Sequence, residues 1–249
     1  MLNVSRDGRV LRIELNRPEK RNALNGALCK ALADAIEEGE RDSGVGAIFL
    51  SGAGASFCAG MDLSEMLTPA ERSLAELHER LFTIGRRMTI PIIAAVQGAA
   101  LAGGTGLVAN AHVVVASEEA TFGLTEIRIA LWPFVVYRSV VEAVGDRRAL
   151  ELAITGRIFP ATEAASIGLA HFVTPPELVM ERAEEIAAAA AGASPVAMRS
   201  GMRFVAESRG RDWDEAGRIA RATREEVFRS ADFAEGIRAF REKRTPKWE

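Results

Sequence analysis

Residues 92–126 read IIAAVQGAALAGGTGLVANAHVVVASEEATFGLTE, and the order of elements within this stretch decides the fold. Its apolar beginning, Ile92–Val96, predicts a buried strand, and the β-branched run at residues 112–116 predicts another. Between them, the small residues of Gly103–Asn110 predict a short helix. The stretch ends at a single acid, Glu126, so a strand–helix–strand unit leads to a candidate proton carrier.

The residues before this stretch predict a similar unit. Val10–Leu15 alternates and is β-branched, which predicts a strand, and the polar residues 16–25 predict a loop after it. Apolar residues then recur at helical spacing from Leu24 onward, with Asn25 as the expected N-cap. Residues 47–50 predict another buried strand. Strand, helix and strand in this order indicate an α/β fold with a parallel sheet.

Helical periodicity recurs on both sides of the central stretch. Apolar residues at spacings of three and four between Leu74 and Met88 predict one long amphipathic helix, which Pro91 ends. After a short turn at Trp132 and Pro133 the helical pattern returns. It predicts helices at residues 135–144, 146–155 and 162–167, followed by a last strand at residues 170–173.

The chain changes in character at Pro175. Beyond it, charged helical segments dominate and no β-branched run occurs. We therefore predict an α/β core at residues 1–175 and a C-terminal all-α lobe at residues 176–249, with the boundary near Pro175 and Pro176. The predicted helices of the lobe are residues 178–191, 195–207, 213–229 and 233–243.

Composition and charge exclude several classes of function. Of the 249 residues, 48% are hydrophobic and 26% are charged, and the net charge is −3. A charge so close to neutral gives no general attraction to nucleic acid or to an anionic membrane, so we expect neither as a partner. Cys29 and Cys58 are too few for a disulfide framework, which favours the reducing cytoplasm. The N-terminus lacks the apolar region of a signal peptide, and Pro91 and Gln97 interrupt the apolar core at residues 90–111, unlike a membrane span.

Two glycine-rich loops form the first candidate site. One is residues 51–63, SGAGASFCAGMDL, and the other surrounds Gly103. We expect each loop to follow a buried strand and to lead into a helix, with Asp62 capping the first of these helices. Strand ends of this kind bind ligands in α/β sheets, and helix N-termini offer free N–H groups to an oxyanion or a phosphate. Glycines that merely permit tight turns are the alternative, but two such loops in one chain favour a site.

Glu126 is the candidate for acid–base chemistry. It follows the apolar pair Phe122 and Gly123, and an acid that loses water beside such neighbours has a raised pKa, which suits a general acid or base. The alternative is a glutamate that is favoured by the dipole of a helix N-terminus. From these residues alone, both interpretations stay open.

Other reactive residues give weaker signals. Cys58 has no histidine close in sequence, so we predict a small buried residue rather than a nucleophile. Residues 104–109 match a dinucleotide-binding pattern, but that pattern needs its first glycine in the turn directly after the strand. A nicotinamide-dependent oxidoreductase is therefore the least favoured hypothesis. The histidines lack metal-ligand spacing, and we predict no metal site at His78, His112 or His171.

Five segments, in this order along the chain, together resemble the crotonase (enoyl-CoA hydratase/isomerase) superfamily. Residues 16–25, NRPEKRNALN, resemble its N-terminal CoA-contact loop, and residues 51–63 resemble its first oxyanion-hole loop. Residues 96–117 resemble the second oxyanion-hole loop, residues 122–133 the segment of the catalytic glutamate, and residues 240–248 the closing helix. The resemblance covers nearly the whole chain.

The resemblance implies a fold, a substrate and an assembly. The fold is a crotonase-like ββα spiral core with a C-terminal all-α lobe, which agrees with the α/β class predicted above. The substrate is an acyl-CoA thioester, so coenzyme A is part of the substrate and no separate cofactor is expected. The assembly is a homotrimer or a hexamer of two trimers, in which the C-terminal lobe takes part in oligomerisation and covers the active site.

The resemblance also assigns roles to single residues. The backbone N–H groups of Met61 and Gly103 form an oxyanion hole for the thioester oxygen, and Glu126 is the catalytic acid–base residue. Such donors stabilise an enolate, and the loss of one typically costs about 3–4 kcal/mol. Lys243 is expected at the nucleotide phosphates, from the same or a neighbouring subunit. The full set expected to contact coenzyme A is Ala23, Ala59, Leu63 and Lys243.

One departure from the family pattern bears on the reaction. Family hydratases hold a water between two glutamates, and the position of one of them, three residues after Gly103, is Gly106 here. Where hydratases usually have glycines after the proline, this chain has FVVY at residues 134–137. A single carboxylate still moves a proton from one carbon to another, so we expect double-bond isomerisation ahead of hydration. The alternative is a family member that binds acyl-CoA and has lost its activity.

Overall fold

Two β-sheets organise the chain in the computed structural model, which describes residues 1–64 and 74–248. The strands are, in chain order, β1 (Leu2–Asp7), β2 (Val10–Leu15), β3 (Ala47–Gly52), β4 (Ser56–Cys58), β5 (Ile92–Val96), β6 (Ala99–Leu101), β7 (Val113–Ser117), β8 (Thr121–Gly123), β9 (Phe159–Pro160) and β10 (Phe172–Thr174). The larger sheet has six strands in the order β1-β2-β3-β5-β7-β10, and the smaller has four in the order β4-β6-β8-β9.

Most helices begin and end within two residues of the predicted bounds. Within the described part of the chain, no helix is both long and apolar enough to cross a lipid bilayer. The helices are α1 (Gly26–Arg41), α2 (Ala75–Phe82), α3 (Gly103–Asn110), α4 (Phe134–Val144), α5 (Asp146–Thr155), α6 (Ala161–Ser166), α7 (Val179–Ala191), α8 (Pro195–Ser208), α9 (Trp213–Phe228) and α10 (Ala231–Glu242).

The front of the chain forms the predicted strand–helix–strand unit. Strand β2 runs parallel to β3, and α1 connects them. The side chain of Asn25 accepts a hydrogen bond from the Leu28 N–H at 2.9 Å, so Asn25 is the N-cap of α1. Strand β1 was not predicted; it pairs antiparallel with β2 through a two-residue turn at Gly8 and Arg9. The remaining neighbours in the larger sheet are parallel, which confirms the predicted sheet type.

Each turn of the chain adds one strand to each sheet. Strands β3, β5 and β7 enter the larger sheet, and β4, β6 and β8, which follow them, enter the smaller sheet. Helix α2 then leads to β5, and α3 leads to β7. This repeated strand–strand–helix order aligns β4, β6 and β8 in parallel. These strands were not predicted, because three residues are too few to show a periodicity.

The prediction of one long helix at residues 74–88 is wrong. Helix α2 ends at Phe82, and a 3₁₀ turn follows at Ile84–Arg87. The carbonyl oxygen of Phe82 accepts hydrogen bonds from the side chains of Asn110 and Ser139, which compete with the N–H that a continuing helix would supply. These bonds also tie the end of α2 to α3 and α4.

One face of α7 covers the larger sheet. Its buried residues recur at helical spacing from Val179 to Ala191, and they are mostly alanines, so the helix lies close to the strands. The first helix after the predicted domain boundary is therefore in contact with the core, and the division into residues 1–175 and 176–249 stays a prediction. The sheet residues beneath α7 are Ala47, Phe49, Ile93, Ala95 and Val115.

The hydroxyl of Thr105 joins α3 to two short strands. It lies 2.7 Å from the carbonyl oxygen of Ala100 and 3.0 Å from that of Gly123, and it accepts the Gly123 N–H at 3.1 Å. The side chain is fully buried, so water does not replace these partners. Thr105 therefore fixes the position of α3 relative to β6 and β8.

We expect the Thr105→Val substitution to lower the free energy of unfolding by about 1–3 kcal/mol, because valine keeps the shape of the side chain but neither accepts from the buried Gly123 N–H nor donates to the buried carbonyl groups. Thr105→Ser keeps the hydroxyl and is the matched control. Urea unfolding at neutral pH measures both variants. A valine variant as stable as the native protein would contradict this role of the hydroxyl.

Candidate active site

Three loops meet at one end of the smaller sheet. They follow β4, β6 and β8, and because these strands are parallel neighbours, their carboxyl ends lie side by side. The loops bring Met61, Ala102 and Glu126 to the wall of one cavity of about 100 Å³. The same cavity is also lined by Ala59, Leu63, Thr125, Ile129 and Leu131. Both glycine-rich loops and the candidate acid thus belong to one site. The smaller sheet positions them, and the larger sheet does not.

Backbone pairing on both sides of Met61 leaves its own N–H free. The Leu24 N–H donates to the Gly60 carbonyl oxygen at 2.7 Å, and the Leu24 carbonyl oxygen accepts the Asp62 N–H at 2.9 Å. In parallel pairing of this kind, the N–H of the residue in between points away from the partner strand. Within residues 1–64 and 74–248, the Met61 N–H makes no hydrogen bond, so it is available to a ligand in the cavity.

The Gly103 N–H is freed by the backbone conformation of the residue before it. Ala102 has φ 51° and ψ −117°, a conformation that is uncommon for alanine and typically costs about 1–3 kcal/mol. Helix α3 begins directly after it, so the N–H of Gly103 has no partner in the first helical turn. The first loop approaches closely at Gly60, where a Cβ would lie 2.8 Å from the Ala102 Cβ and 3.4 Å from the Gly103 nitrogen.

Glu126 is a buried acid at the wall of the cavity. It lies in the 3₁₀ turn Thr125–Ile129 and is 7% exposed, and its Oε2 atom has no hydrogen-bond partner among the described residues. Burial raises the pKa of Glu126 to about 7, because the carboxylate loses water and gains no cation in return. Glu126 also lies in the first turn of the 3₁₀ helix, which would lower this pKa, but the loss of water outweighs that effect, so its burial supports the acid–base interpretation.

Asp62, the residue after Met61, has the opposite environment. Its carboxylate accepts hydrogen bonds from the Ser64 hydroxyl at 2.6 Å and from Arg17 at 3.0 Å. These bonds hold the pKa of Asp62 below its usual range, first through Ser64 and then through Arg17. Asp62 is therefore ionised at neutral pH, and Glu126 is the carboxyl group that exchanges a proton there. The expectation that Asp62 caps a following helix concerns residues outside the described part of the chain.

Gly106 lies in α3, one helical turn after Gly103, where apolar side chains surround it. A Cβ on Gly106 would lie 3.0 Å from ring atom Cδ1 of Phe82 and 3.0 Å from both γ-carbons of Val136. Phe82 and Val136 are almost fully buried. A larger side chain at position 106 therefore requires Phe82 and Val136 to shift by a few tenths of an ångström or to become smaller.

The residues predicted to contact coenzyme A are divided between two places. Ala59 and Leu63 line the cavity beside Met61, whereas Ala23 precedes Leu24 and its carbonyl oxygen accepts a hydrogen bond from Arg17. Lys243 ends α10 in a left-handed conformation, is exposed and does not line this cavity. The place of Ala102 in the cavity wall was not predicted, because nothing in the sequence indicates an alanine with a positive φ angle.

The weaker candidates have structural roles. Burial raises the pKa of the Cys58 thiol to about 12, so it is not ionised at neutral pH. The Nδ1 atoms of His112 and His171 accept hydrogen bonds from the N–H groups of Ile92 and Val114. Residues 104–109 lie inside α3 rather than in a turn after a strand, so they lack the geometry of a dinucleotide loop. Across residues 1–64 and 74–248, no cluster of three or more His, Cys, Asp or Glu residues is placed to hold a metal ion.

Known proteins share this sequence pattern along nearly the whole chain. Residues 5–249 match the Enoyl-CoA hydratase/isomerase family. The chain is 35% identical to 2,3-dehydroadipyl-CoA hydratase of Escherichia coli, over 98% of this chain and 97% of that protein. It is 34% identical to an enoyl-CoA hydratase of Mycobacterium tuberculosis, over 99% of this chain and 95% of that protein.

Solved structures share the fold. The enoyl-CoA hydratase of Bacillus anthracis superposes with a TM-score of 0.94 at 32% identity, covering 99% of this chain and 98% of its own. An enoyl-CoA hydratase of Mycobacterium tuberculosis gives a TM-score of 0.92 at 35% identity, covering 100% of this chain and 98% of its own. The predicted α/β class and crotonase-like ββα spiral are thereby confirmed.

The raised pKa of Glu126 predicts a pH-dependent cost to stability. The folded protein holds the Glu126 proton more tightly than the unfolded chain does, so protonated Glu126 stabilises the fold. This contribution to the free energy of unfolding is complete below about pH 4 and is lost as the pH rises through about 7. The Glu126→Gln variant stays neutral at every pH. We expect it to unfold less readily than the native protein at pH 8, by about 3 kcal/mol at most, and to lose this advantage near pH 4.

Urea unfolding at pH 4, 6 and 8 measures this difference. Glu118→Gln, at an exposed glutamate that does not line the cavity, is the control and should show no such change between pH 4 and pH 8. An equal response of both variants would show that the Glu126 carboxylate is not desolvated.

Proposed function

Because the chain belongs to the enoyl-CoA hydratase/isomerase family, we propose that it is an enzyme that acts on an acyl-CoA thioester through an enolate, with Glu126 as the acid–base residue. The observation that carries this proposal is the single cavity that Glu126 shares with Met61 and Ala102, beside two free backbone N–H groups. Relatives that are named as enoyl-CoA hydratases support the substrate class.

Each group of the proposed site contributes to one step of the reaction. The Glu126 carboxylate takes a proton from the carbon alpha to the thioester, and the electrons of the broken C–H bond move into an enolate. The N–H groups of Met61 and Gly103 donate to the thioester oxygen as negative charge develops on it. In a 3-enoyl-CoA, Glu126 then returns the proton to the gamma carbon, which leaves a 2-enoyl-CoA and an unchanged enzyme.

The packing around Gly106 supports isomerisation ahead of hydration. Addition of water needs a group that holds and activates the water, and a second carboxylate at position 106 would serve this purpose. The Cβ of such a side chain would already lie 3.0 Å from Phe82 and from Val136, so the packing here does not favour a carboxylate at this position. Among the described residues that line the cavity, Glu126 is the one ionisable side chain. One carboxylate suffices for moving a proton from the alpha to the gamma carbon.

Coenzyme A enters this reaction as part of the substrate, so the proposal includes no separate cofactor. The places of Ala59 and Leu63 beside Met61 support their predicted contact with it, while Ala23 and Lys243 stay predictions. The proposed trimer or hexamer is supported by exposed aromatic residues on the C-terminal helices. Trp213 is 91% exposed and Phe240 is 85% exposed.

An acyl-CoA-binding protein without turnover is the alternative, and Gly106 is the observation that favours it. Binding of a thioester without any reaction would support this alternative. Robust isomerisation or hydration of any thioester would remove it. Isomerisation and hydration therefore have to be measured separately, on a 3-enoyl-CoA and on crotonyl-CoA.

We expect Glu126→Gln to lower kcat by about 10²- to 10⁴-fold on whichever thioester reacts, because glutamine cannot accept the alpha proton. KM should change little, since the amide keeps the shape of the carboxyl group. Steady-state kinetics with purified protein measure both constants, and Glu118→Gln is the control. Undiminished turnover by Glu126→Gln would contradict the proposed role.

The ratio of hydrated to isomerised product should depend on the residue at position 106. We expect Gly106→Glu alone to destabilise the fold by about 1–3 kcal/mol through overpacking against Phe82 and Val136. Combined with Val136→Gly, which removes the contact with Val136, Gly106→Glu should raise the share of hydrated product by about tenfold or more, because a second carboxylate then activates a water.

The matched control is Gly106→Gln combined with Val136→Gly, which has the same shape without the charge. Chromatography of the acyl-CoA products measures the ratio. Equal ratios in the two double variants would show that the missing carboxylate at position 106 does not determine the reaction.

A further inference from the structure

The loop that carries Met61 is tied to residues 16–25 by the half-buried side chain of Arg17. The guanidinium group of Arg17 donates through Nη1 to the carbonyl oxygen of Ala23 at 2.6 Å and through Nη2 to the carboxylate of Asp62 at 3.0 Å. Ala23 and Asp62 are the neighbours of Leu24 and Met61, the two residues that face each other across the parallel bridge. We call these two bonds the Arg17–Asp62 clamp.

Both ends of the clamp are largely shielded from water, and both carboxylate oxygens of Asp62 have hydrogen-bond partners. The side chain of Arg17 is 15% exposed and that of Asp62 is 9% exposed, so the pair is far more buried than an ordinary surface ion pair. The second carboxylate oxygen of Asp62 accepts the hydroxyl and the N–H of Ser64, at 2.6 and 3.2 Å. Each oxygen of Asp62 thus has at least one donor, which suits a fixed charge rather than a proton carrier, although Asp62 adjoins the site.

The other end of the loop is fixed by Asn22, which is completely buried and has a φ angle of 55°. Its side chain accepts the Arg17 N–H at 2.9 Å, and it donates to the carbonyl oxygens of Ala53 and Ser56 at 2.9 and 2.8 Å. The segment with Arg17 and Asn22 thus holds the first glycine-rich loop at its start and at its end.

No hydrogen bond to a described residue holds the Met61 N–H in place. Its position follows from Gly60 and Asp62, which pair with Leu24. A donor of this kind must be held within about 0.5 Å of its working position. What holds the residues on either side of Met61 therefore decides where its N–H points.

We propose that Arg17 and Asp62 are positioning residues for the reaction, because the clamp between them fixes the Met61 N–H at the place where the thioester oxygen gains charge. This inference rests on the proposed function, in which the Met61 N–H is an oxyanion donor. The clamp acts on the transition state more than on the bound substrate, since the oxygen gains most of its charge during the reaction.

The test measures kcat and KM for Arg17→Met and Asp62→Asn on the most reactive thioester. We expect kcat to fall by about 10- to 100-fold in each variant, because a donor misplaced by about 1 Å loses most of its effect. KM should rise by a smaller factor than kcat falls, because Ala23 and Leu63 beside the clamp are predicted coenzyme A contacts, whereas the Met61 N–H acts mainly on the transition state. The double variant should be no slower than the slower single variant, because both substitutions break one interaction.

Arg6→Met is the matched control. Arg6 forms an ion pair of similar length with Asp42, 2.9 Å, but the two side chains are 43% and 47% exposed and neither residue lines the cavity. We expect this variant to keep its kcat. If Arg17→Met does not fold, Arg17→Lys tests the same point, since an ammonium group keeps the charge and does not reproduce the two-pronged contact.

Several outcomes would overturn the clamp as a positioning device. These are an unchanged kcat, a rise of KM that accounts for the whole loss of kcat/KM, or a fall of kcat in the double variant that equals the product of the falls in the two single variants. Glu126→Gln separates this inference from the proposed function. If Glu126→Gln keeps full turnover, the proposed function fails; if it loses turnover while Arg17→Met and Asp62→Asn keep theirs, the clamp alone fails.

Amide hydrogen exchange at Leu24 and Asp62 tests the clamp without substrate. The clamp should slow exchange at both amides, so exchange should be faster in Arg17→Met and Asp62→Asn.

Discussion

The parallel pairing of β4, β6 and β8 is the constraint on which the rest of the site depends. Parallel neighbours end on the same side, so the three loops that follow these strands share one cavity although they are far apart in sequence. The Thr105 hydroxyl and the missing side chain of Gly60 let α3 and the first loop approach this edge closely. A small sheet of very short strands therefore does the positioning, while the larger sheet and α7 supply the core beneath it.

Burial and pairing divide the two acids of the site into different roles. Glu126 is shut away from water without a cation, and its pKa is raised to about 7. Asp62, close to Met61, receives hydrogen bonds from Ser64 and Arg17, and its pKa is lowered. One acid is thereby suited to exchanging a proton at neutral pH and the other to holding a fixed charge. The pattern of charged residues in the sequence does not distinguish them, because the difference lies in what surrounds each carboxyl group.

Elements with a clear periodicity or a cap could be predicted from the sequence, and elements fixed by tertiary contacts could not. Helix α3 has its predicted bounds, and Asn25 caps α1 as expected. Strands β4, β6 and β8 are too short for a pattern, and α2 ends early because side chains of other helices bind the Phe82 carbonyl group. In the site, the glycine loops and Glu126 were found from residue types, while the φ angle of Ala102 and the bonds of Arg17 depend on partners far along the chain.

The proposed main-chain donor at Met61 separates two properties that mutation usually changes together. The Met61 side chain lines the cavity, whereas the proposed contribution to catalysis belongs to its backbone N–H. A new residue at this position reshapes the wall against which an acyl group rests and leaves the donor in place, provided that the flanking backbone is held. Substrate range can therefore drift over evolutionary time while the reaction is inherited unchanged, and a catalyst with its donors on side chains does not have this freedom.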